Sequence, residues 1–492
     1  MSLRTKGLAA MKWSTVSTVS STVIQLAQIV IVSRFLEPEH YGLMGMMMAF
    51  IVLALSMNDF GISNAIIHRQ KVTRNELSSL YYLNLAAGAV ACLAVWLVAP
   101  VAGYFYHEPD LIAPMRWMAF LCFIPAIGQQ FQVLFQKELK FDYLAKVDVS
   151  AYSFGFLVVV IGAYSGYGIY ALVWSHLANA LLKSICLAVA GWRLWKPSWH
   201  FSRGDLKGYL SFGMYQMGNN MTQSIISNLD YLILGRLFGA EKLGYYTFAF
   251  QICSMPVQKL NPLFSQVSIP ILARIQDQAD RLRGGFLRAA GAVSYVNAPI
   301  YLGLVAIAPN FVPLAFGQQW QPSVALVQIL AGMILIRSVI MYTSSLLLAK
   351  GRADIAFKYT IVSMAFIAPS LALGAYEGDA SGVALAYLLI QVVLFGVHYV
   401  ISIKSIIGDC FLIYLRSIMP GIACSLLMAI GVSIVGLLLR DEASPIVVLA
   451  AQIISGALLY GLLLYLFNRE NVMNGARWVF LRKAGEKADG VS

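Results

Sequence analysis

A series of amide and hydroxyl side chains, ending in one carboxylate, recurs along an apolar stretch near the middle of this 492-residue sequence. The stretch 208–239 is long enough to cross a bilayer, and its polar positions recur three or four residues apart. Such positions fall on one face of a helix. A polar stripe on a spanning helix must face a cavity or a protein partner, because lipid offers it no hydrogen bonds. The stripe consists of Gln216, Asn219, Asn220, Gln223, Ser227 and Asp230.

Six basic residues lie inside apolar segments, where a charge is costly unless it meets water or an anion, and four of them are candidates to line a cleft. Arg337 is the only formal charge in 289–349 and lies about fifteen residues into its segment. We expect Arg337 to line a cleft and bind an anionic group; an ion pair with an acid on a neighbouring helix is the alternative. Lys183, Lys259 and Arg116 are the other three cleft candidates. For these the alternative is a side chain that extends to the membrane surface.

Two acids are candidates for ion coupling or gating. Asp230 lies on the polar stripe in the outer third of its helix, where it could exchange a proton, bind Na⁺ or pair with an arginine. Asp59 lies near the inner end of its segment, where a helix-end or gate-pairing role is the alternative to coupling. Walker A, HExxH and GxSxG motifs are absent from the sequence. We therefore predict no bound cofactor, and an H⁺ or Na⁺ gradient, or the consumption of product, as the energy source.

The composition predicts an all-α polytopic membrane protein. Hydrophobic residues make up 59% of the chain and charged residues 12%, and the mean hydropathy is +0.72. Apolar stretches long enough to span a bilayer recur from end to end and predict about fourteen transmembrane helices. The predicted spans are 14–36, 41–65, 79–102, 111–134, 149–166, 169–191, 208–236, 243–264, 289–308, 322–349, 357–376, 381–403, 417–439 and 445–467.

Basic residues are distributed very unequally between the two sides of these spans. With the N-terminus inside, the inner segments contain 27 of the 35 Lys and Arg residues, whereas the outer loops contain only Lys242 and Arg440. This bias predicts that both termini are cytoplasmic. It also explains most of the net charge of +12 without a nucleic-acid partner, since inner basic loops attract anionic membrane lipids. The outer loops are too short for a catalytic domain, so we predict that the protein is not an enzyme.

The chain contains an internal repeat. A shift of 202 residues places the polar positions of the first span, 14–28, on those of the stripe in 216–230. The same shift superposes Arg-x4-Glu-x2-Gly at 34–42 on the same motif at 236–244, which we interpret as a structural hairpin. The repeat predicts two pseudo-symmetric six-helix lobes, 1–200 and 201–403, around a central cleft. Residues 404–492 then supply two extra helices and a cytoplasmic tail.

Several segments resemble the polysaccharide transporters of the multidrug/oligosaccharidyl-lipid/polysaccharide (MOP) flippase superfamily, and within them the Wzx-type colanic acid exporters. The resemblance covers nearly the whole chain. It is carried by NDFGISNAIIHRQ (58–70), NLDYLILGRLFGAEKLGYYTFAF (228–250), PVQKLNPLFSQVSIPILARIQDQADRLRGGFLRA (256–289), PNFVPLAFGQQWQPSVALVQILA (309–331) and LLLAKGRADIAFK (346–358).

The resemblance implies a MATE-like fold of fourteen helices. It also implies translocation of an undecaprenyl-diphosphate-linked oligosaccharide across the bacterial inner membrane, for exopolysaccharide or O-antigen synthesis, next to a polysaccharide polymerase and export machinery. It further implies that Arg337, Lys183 and Lys259 line a cationic lumen. Such a substrate agrees with the residues, because basic side chains replace the hydration of phosphates and amides that of sugar hydroxyls. We expect alternating access.

Two other functions remain open from the sequence. A multidrug/cation antiporter of the same superfamily would be expected to place acids in the lumen and to lack deep cations. A membrane polysaccharide polymerase would need a large outer loop with reactive groups. The deep Lys and Arg residues argue against the first, and the short outer loops argue against the second.

Overall fold

The computed structural model describes residues 3–58, 66, 72–206, 210–376 and 379–467. Within these ranges the chain is almost entirely helical and contains no β-strand, as predicted. The helices are α1 (Leu3–Val32), α2 (Pro38–Asn58), α3 (Arg74–Tyr106), α4 (Ile112–Met118), α5 (Phe120–Lys137), α6 (Phe141–Tyr164), α7 (Ile169–Gly191), α8 (Leu210–Arg274), α9 (Ala279–Phe316), α10 (Ser323–Tyr342), α11 (Ser344–Ala349), α12 (Ala353–Tyr376), α13 (Ala380–His398), α14 (Phe411–Leu439) and α15 (Pro445–Phe467). Short 3-10 turns occupy Pro109–Leu111 and Gln318–Trp320, a π-helix occupies Tyr399–Lys404, and a helical turn occupies Ser405–Ile407.

Twelve helical segments of the described chain are long and apolar enough to cross a membrane. Each overlaps one of the predicted spans. The predicted spans 208–236 and 243–264 both fall within α8, a 65-residue helix that is not one of the twelve. The count of fourteen transmembrane helices therefore stays a prediction.

Helix α8 is interrupted at Gly239. The backbone there has φ 77°, in the left-handed region that favours glycine. The carboxylate of Glu108 accepts a hydrogen bond of 3.2 Å from the backbone N–H of Ala240, the first residue beyond the break. An acid at this position compensates the partial positive charge at the start of the second half of α8.

The described residues form two compact units. One comprises the chain up to Phe248 together with Met364–Val383, and the other comprises Ala249–Ser363 together with the chain from Ala384. The predicted division into lobes at residues 200 and 403 stays a prediction.

The first unit is built on the packing of α7 against α5 and α6, with α1 on α6 and α3 on α5. At one end of α3, Tyr81 packs against Phe131 and Trp195. The segment that follows α7 is fixed there by a hydrogen bond of 2.7 Å from the Ser79 hydroxyl to the Asp205 carboxylate. These contacts hold the segment that follows α7 against α3.

The second unit is centred on α9, which packs against α10, α14 and α15. Near one end of α14 its core contains a row of parallel aromatic rings. The Tyr414 ring stacks on Phe395 at 5.6 Å and on Phe286 at 6.1 Å, and Phe286 stacks on Tyr342 at 6.0 Å. Aromatic pairs favour such offset stacks, so the row stabilises this part of the core.

The two copies of the repeated hairpin motif contact each other within the first unit. At the offset of 202, Gly42 corresponds to Gly244 and Pro38 to Ala240. A Cβ added at Gly42 would overlap the carbonyl oxygen of Ala240, and one at Gly244 would overlap the carbonyl oxygen of Pro38. The contact is therefore reciprocal and follows the internal repeat, and the two backbones approach so closely that only glycine fits at either position.

Candidate functional site

A cavity of about 450 Å³ lies in the first unit, between α2 and the first half of α8. Six of its eight lining residues carry an amide or a hydroxyl group, and none carries a formal charge. The lining residues are Val52, Leu55, Ser56, Asn220, Gln223, Ser224, Ser227 and Asn228.

The predicted polar stripe supplies only part of this lining. Asn220, Gln223 and Ser227 belong to it, whereas Gln216 and Asn219 lie on α8 with side chains outside the described residues. Ser224 and Asn228 were missed, although a spacing of four from Asn220 places them on the same side of the helix. The contribution of Ser56 was not visible from the stripe, because it depends on how α2 packs beside α8.

The lining is suited to a neutral, hydroxyl-rich ligand. Amides both donate and accept hydrogen bonds, and hydroxyls do the same, which matches the groups that a sugar presents. Some of this capacity is used within the helices: Asn228 Nδ2 donates to the Ser224 carbonyl at 2.7 Å, and the Ser56 hydroxyl donates to the Leu53 carbonyl at 2.6 Å. Gln223, in contrast, is exposed.

Asp230 lies less than one turn beyond Ser227 but does not line the cavity. Its side chain is only 2% exposed. The Tyr246 hydroxyl donates a hydrogen bond of 2.7 Å to Oδ2, and the backbone N–H of Tyr231 donates one of 3.0 Å to Oδ1. The carboxylate is thus held by two donors on the protein. Tyr246 could not be predicted as a partner, because the break at Gly239 folds the second half of α8, which carries Tyr246, back against the first half.

Lys183 forms an ion pair in the first unit. Its Nζ lies 2.9 Å from Oδ1 of Asp148, which joins α7 to α6, and each side chain is about a third exposed. The predicted span boundary at 149 left Asp148 outside the membrane, whereas α6 begins at Phe141. A lysine neutralised by this acid has less charge to offer a ligand.

Arg337, on α10 in the second unit, has different surroundings. It is partly buried, and no carboxylate of the described residues lies within ion-pairing distance of its guanidinium. The hydroxyl of Tyr359, on α12, lies within electrostatic range of it. Lys259, in the second half of α8, is partly buried too and likewise has no ion pair among the described residues.

Two candidates remain, Arg116 and Asp59. Arg116 is not part of the cavity lining. The Arg116 guanidinium lies over the Trp96 ring, 4.5 Å from its centroid, and its Nε is buried with no hydrogen-bond partner among the described residues. This contact is a cation–π interaction between α4 and α3. Asp59 lies outside the described residues.

Comparison with known proteins places the chain in a family. The family model described as polysaccharide biosynthesis protein matches residues 31–325. The lipopolysaccharide biosynthesis protein WzxC of Escherichia coli (strain K12) is 33% identical over 418 residues, which are 85% of this chain and 85% of WzxC. The chain belongs to the polysaccharide biosynthesis protein family. The cavity between α2 and α8 lies entirely within the matched region of this family.

Two solved structures share the fold of this family member. The lipid II flippase MurJ superposes with a TM-score of 0.75 at 13% identity, over 94% of this chain and 100% of MurJ. A multidrug resistance MATE family transporter of the MOP superfamily superposes with a TM-score of 0.62 at 17% identity, over 78% of this chain and 94% of the transporter. The family member is therefore a multi-pass membrane protein with an all-α, MATE-like fold, as predicted.

Proposed function

We propose that the protein is a flippase that translocates an undecaprenyl-diphosphate-linked oligosaccharide repeat unit across the bacterial inner membrane. The observation that carries this proposal is the uncharged, amide-lined cavity of about 450 Å³ in a membrane protein of a polysaccharide biosynthesis family. Both termini are cytoplasmic in this proposal, as the distribution of Lys and Arg predicts.

The comparisons support a substrate that is part lipid and part sugar. WzxC is named for lipopolysaccharide biosynthesis, and MurJ is named as a lipid II flippase. A substrate of this kind has a neutral glycan, an anionic diphosphate and an apolar tail. In our proposal the glycan occupies the cavity lined by Asn220 and Gln223, the diphosphate meets Arg337, and the tail stays in the bilayer.

Translocation proceeds by alternating access, since a binding site inside the membrane must open to each side in turn. The sequence contains no nucleotide-binding loop. The step is therefore coupled to an H⁺ or Na⁺ gradient or to removal of the product by a polysaccharide polymerase and export machinery, which would be the partners on the outer side.

A multidrug/cation antiporter is the second candidate, because the MATE transporter shares the fold. Such a protein needs acids where its cationic substrate binds. The cavity lining contains none, and Asp230, the next acid along the described part of α8, is buried and held by Tyr246. These contacts favour the flippase. Nothing in the described structure favours the third candidate, a membrane polysaccharide polymerase.

The proposal is tested in a strain that lacks the gene. We expect lipid-linked repeat units to accumulate on the cytoplasmic side, and surface polymer to disappear, because the glycan cannot cross the bilayer unaided. Mass spectrometry of extracted lipids gives their amount and sugar composition. Unchanged lipid-linked intermediates, together with increased sensitivity to cationic drugs, would instead identify the antiporter.

Asp230→Asn is expected to slow export at least about tenfold if this residue couples transport to an ion. Asparagine keeps one oxygen, which can accept the Tyr246 hydrogen bond, while its amide nitrogen replaces the oxygen that accepts from the Tyr231 N–H. The substitution therefore removes the charge with little change in volume, at the cost of one hydrogen bond. Export of polymer at different proton and sodium gradients is the measurement. Tyr246→Phe keeps the carboxylate and Asp59→Asn removes the other acid, and both are expected to have milder effects. Normal export by Asp230→Asn would leave Asp230 as a structural acceptor only.

A further inference from the structure

The segment that follows α7 lies across one end of α3. It comprises residues 192–206 and contains three tryptophans, of which one is part of the core. Trp195 is buried and packs against the Tyr81 ring of α3, with 5.8 Å between centroids. Trp192 and Trp199 are exposed, Trp199 to 98%. The buried tryptophan therefore fixes the segment on the helix end, and the other two remain on the surface.

Hydrogen bonds to the first turns of α3 hold the backbone of this segment. The backbone N–H of Ser198 donates to the Ser78 hydroxyl at 3.1 Å. The backbone N–H of Ser202 donates to the Ser79 hydroxyl, also at 3.1 Å. These contacts recur along the segment, so its position is set by α3.

The two exposed tryptophans lie where the exposed apolar faces of α3 and α7 end. Trp199 stacks on the ring of Tyr82, with 6.0 Å between centroids and 22° between planes. Leu93, eleven residues or about three turns after Tyr82, is on the same face of α3 and is exposed. Trp192 directly follows α7 and continues the exposed face of Val189, three residues before it. Exposed apolar faces of membrane helices contact lipid, and tryptophan is enriched where such a face reaches water.

The exposed charges of the segment are all positive. They are carried by Arg193, Lys196 and Arg203. None of the three forms an ion pair with another residue of the described chain. The only acid of the segment, Asp205, is engaged within the protein, because its carboxylate accepts from the Ser79 hydroxyl and lies 3.0 Å from Nε2 of His200. The surface of the segment therefore attracts anions.

A membrane surface matches this combination of aromatic rings and cations. Basic residues beside a membrane are attracted to anionic headgroups, and tryptophan rings are accommodated between headgroups and acyl chains. A soluble acidic protein would match the charges only. It gives no reason for the exposed tryptophans to continue the lipid-facing sides of two helices.

We propose that residues 192–206 form a binding surface for the headgroups of anionic phospholipids. The rings of Trp192 and Trp199 lie at the boundary between headgroups and acyl chains, and the three cations contact the phosphates. In the orientation given under Proposed function, these lipids belong to the cytoplasmic leaflet. The inference goes beyond that function, because it concerns lipids that stay around the protein and not the molecule that is transported.

The test measures how much radiolabelled phosphatidylglycerol and phosphatidylcholine the purified full-length protein retains in a neutral detergent. Phosphatidylglycerol is anionic, whereas phosphatidylcholine has no net charge. We expect the wild type to retain about tenfold more phosphatidylglycerol, since several cations act together on its phosphate. In a triple variant that carries Arg193→Gln, Lys196→Gln and Arg203→Gln, this preference should fall at least about fivefold. High salt should weaken the preference of the wild type as well.

The matched control removes the same number of charges from another inner segment, with Arg281→Gln, Arg283→Gln and Arg288→Gln. These three side chains donate hydrogen bonds within the protein, at 2.8, 2.9 and 3.2 Å respectively. The net charge of the protein changes equally in the two triple variants. The lipid preference of the control should therefore fall by less than about twofold. Size-exclusion profiles and melting temperatures establish that both variants are folded.

Three results would overturn the inference. One is equal retention of the two lipids by the wild type, which is also the result expected if a soluble acidic protein were the partner. The second is an unchanged preference in the Arg193, Lys196 and Arg203 triple variant. The third is an equal loss in both triple variants, which would mean that net charge alone selects the lipid. The flippase proposal has its own test in the deletion strain and is unaffected by these results.

Discussion

Replacing Arg337 with alanine is expected to abolish polymer export while the protein still reaches the membrane. A cation at this depth costs about 2.5 to 3.5 kcal/mol to insert, so alanine should not impair insertion. In the proposed function, alanine removes the charge that meets the diphosphate. No carboxylate of the described chain pairs with Arg337 and takes up that charge. Surface polymer and membrane-fraction protein, measured in the complemented deletion strain, give the two readouts.

Two further variants define what the guanidinium contributes. Arg337→Lys keeps the charge but loses the forked donor geometry, and we expect it to retain only partial export. Arg281→Ala is the matched control, because Arg281 is exposed and donates locally to Gln278 at 2.8 Å. Normal polymer output from Arg337→Ala would remove Arg337 from the binding site.

Gly244→Ala and Gly42→Ala are expected to have equal and large effects, because the repeat relates the two positions. Each added methyl group would overlap a backbone carbonyl oxygen on the opposing hairpin, and backbone cannot move aside as a flexible side chain does. Overpacking of this kind costs about 1 to 3 kcal/mol. We expect a lower melting temperature and at least about a tenfold loss of export in both variants.

Gly461→Ala is the appropriate comparison, since a Cβ at this helical position of α15 meets no other atom within 4 Å. Alanine there should leave both the melting temperature and export unchanged. A strong effect at Gly244 with none at Gly42 would show that the reciprocal contact does not form in the membrane.

Local sequence patterns were sufficient to predict the membrane-length helices and part of the α8 wall of the cavity. Hydropathy predicted a span at each of the twelve membrane-length segments, and a three-to-four spacing predicted the shared face of Asn220, Gln223 and Ser227. Both signals arise within a single helix, so they do not depend on how helices pack. The same reasoning would have found Ser224 and Asn228 if the stripe had included the residues directly after Gln223 and Ser227.

Partners on other helices could not be predicted in this way. The sequence places both Lys183 and Arg337 well inside apolar spans. In the structure Lys183 pairs with Asp148, whereas Arg337 has no acid partner among the described residues. Asp230 lies on the predicted stripe, but it is buried against Tyr246 instead of facing the cavity. A short shift in helix rotation or length decides each of these outcomes, and hydropathy does not record it.

The sequence by itself determined that this is an all-α polytopic membrane protein with a duplicated polar helix, because an apolar chain in lipid can satisfy its backbone only as helices. The tertiary structure alone decided which charges are neutralised and which polar faces enclose a space. It also showed that each of the two hairpin glycines lies against the backbone of the other hairpin. The physical reason is that charge pairing and close packing depend on atoms of different helices, whose distances no local pattern encodes.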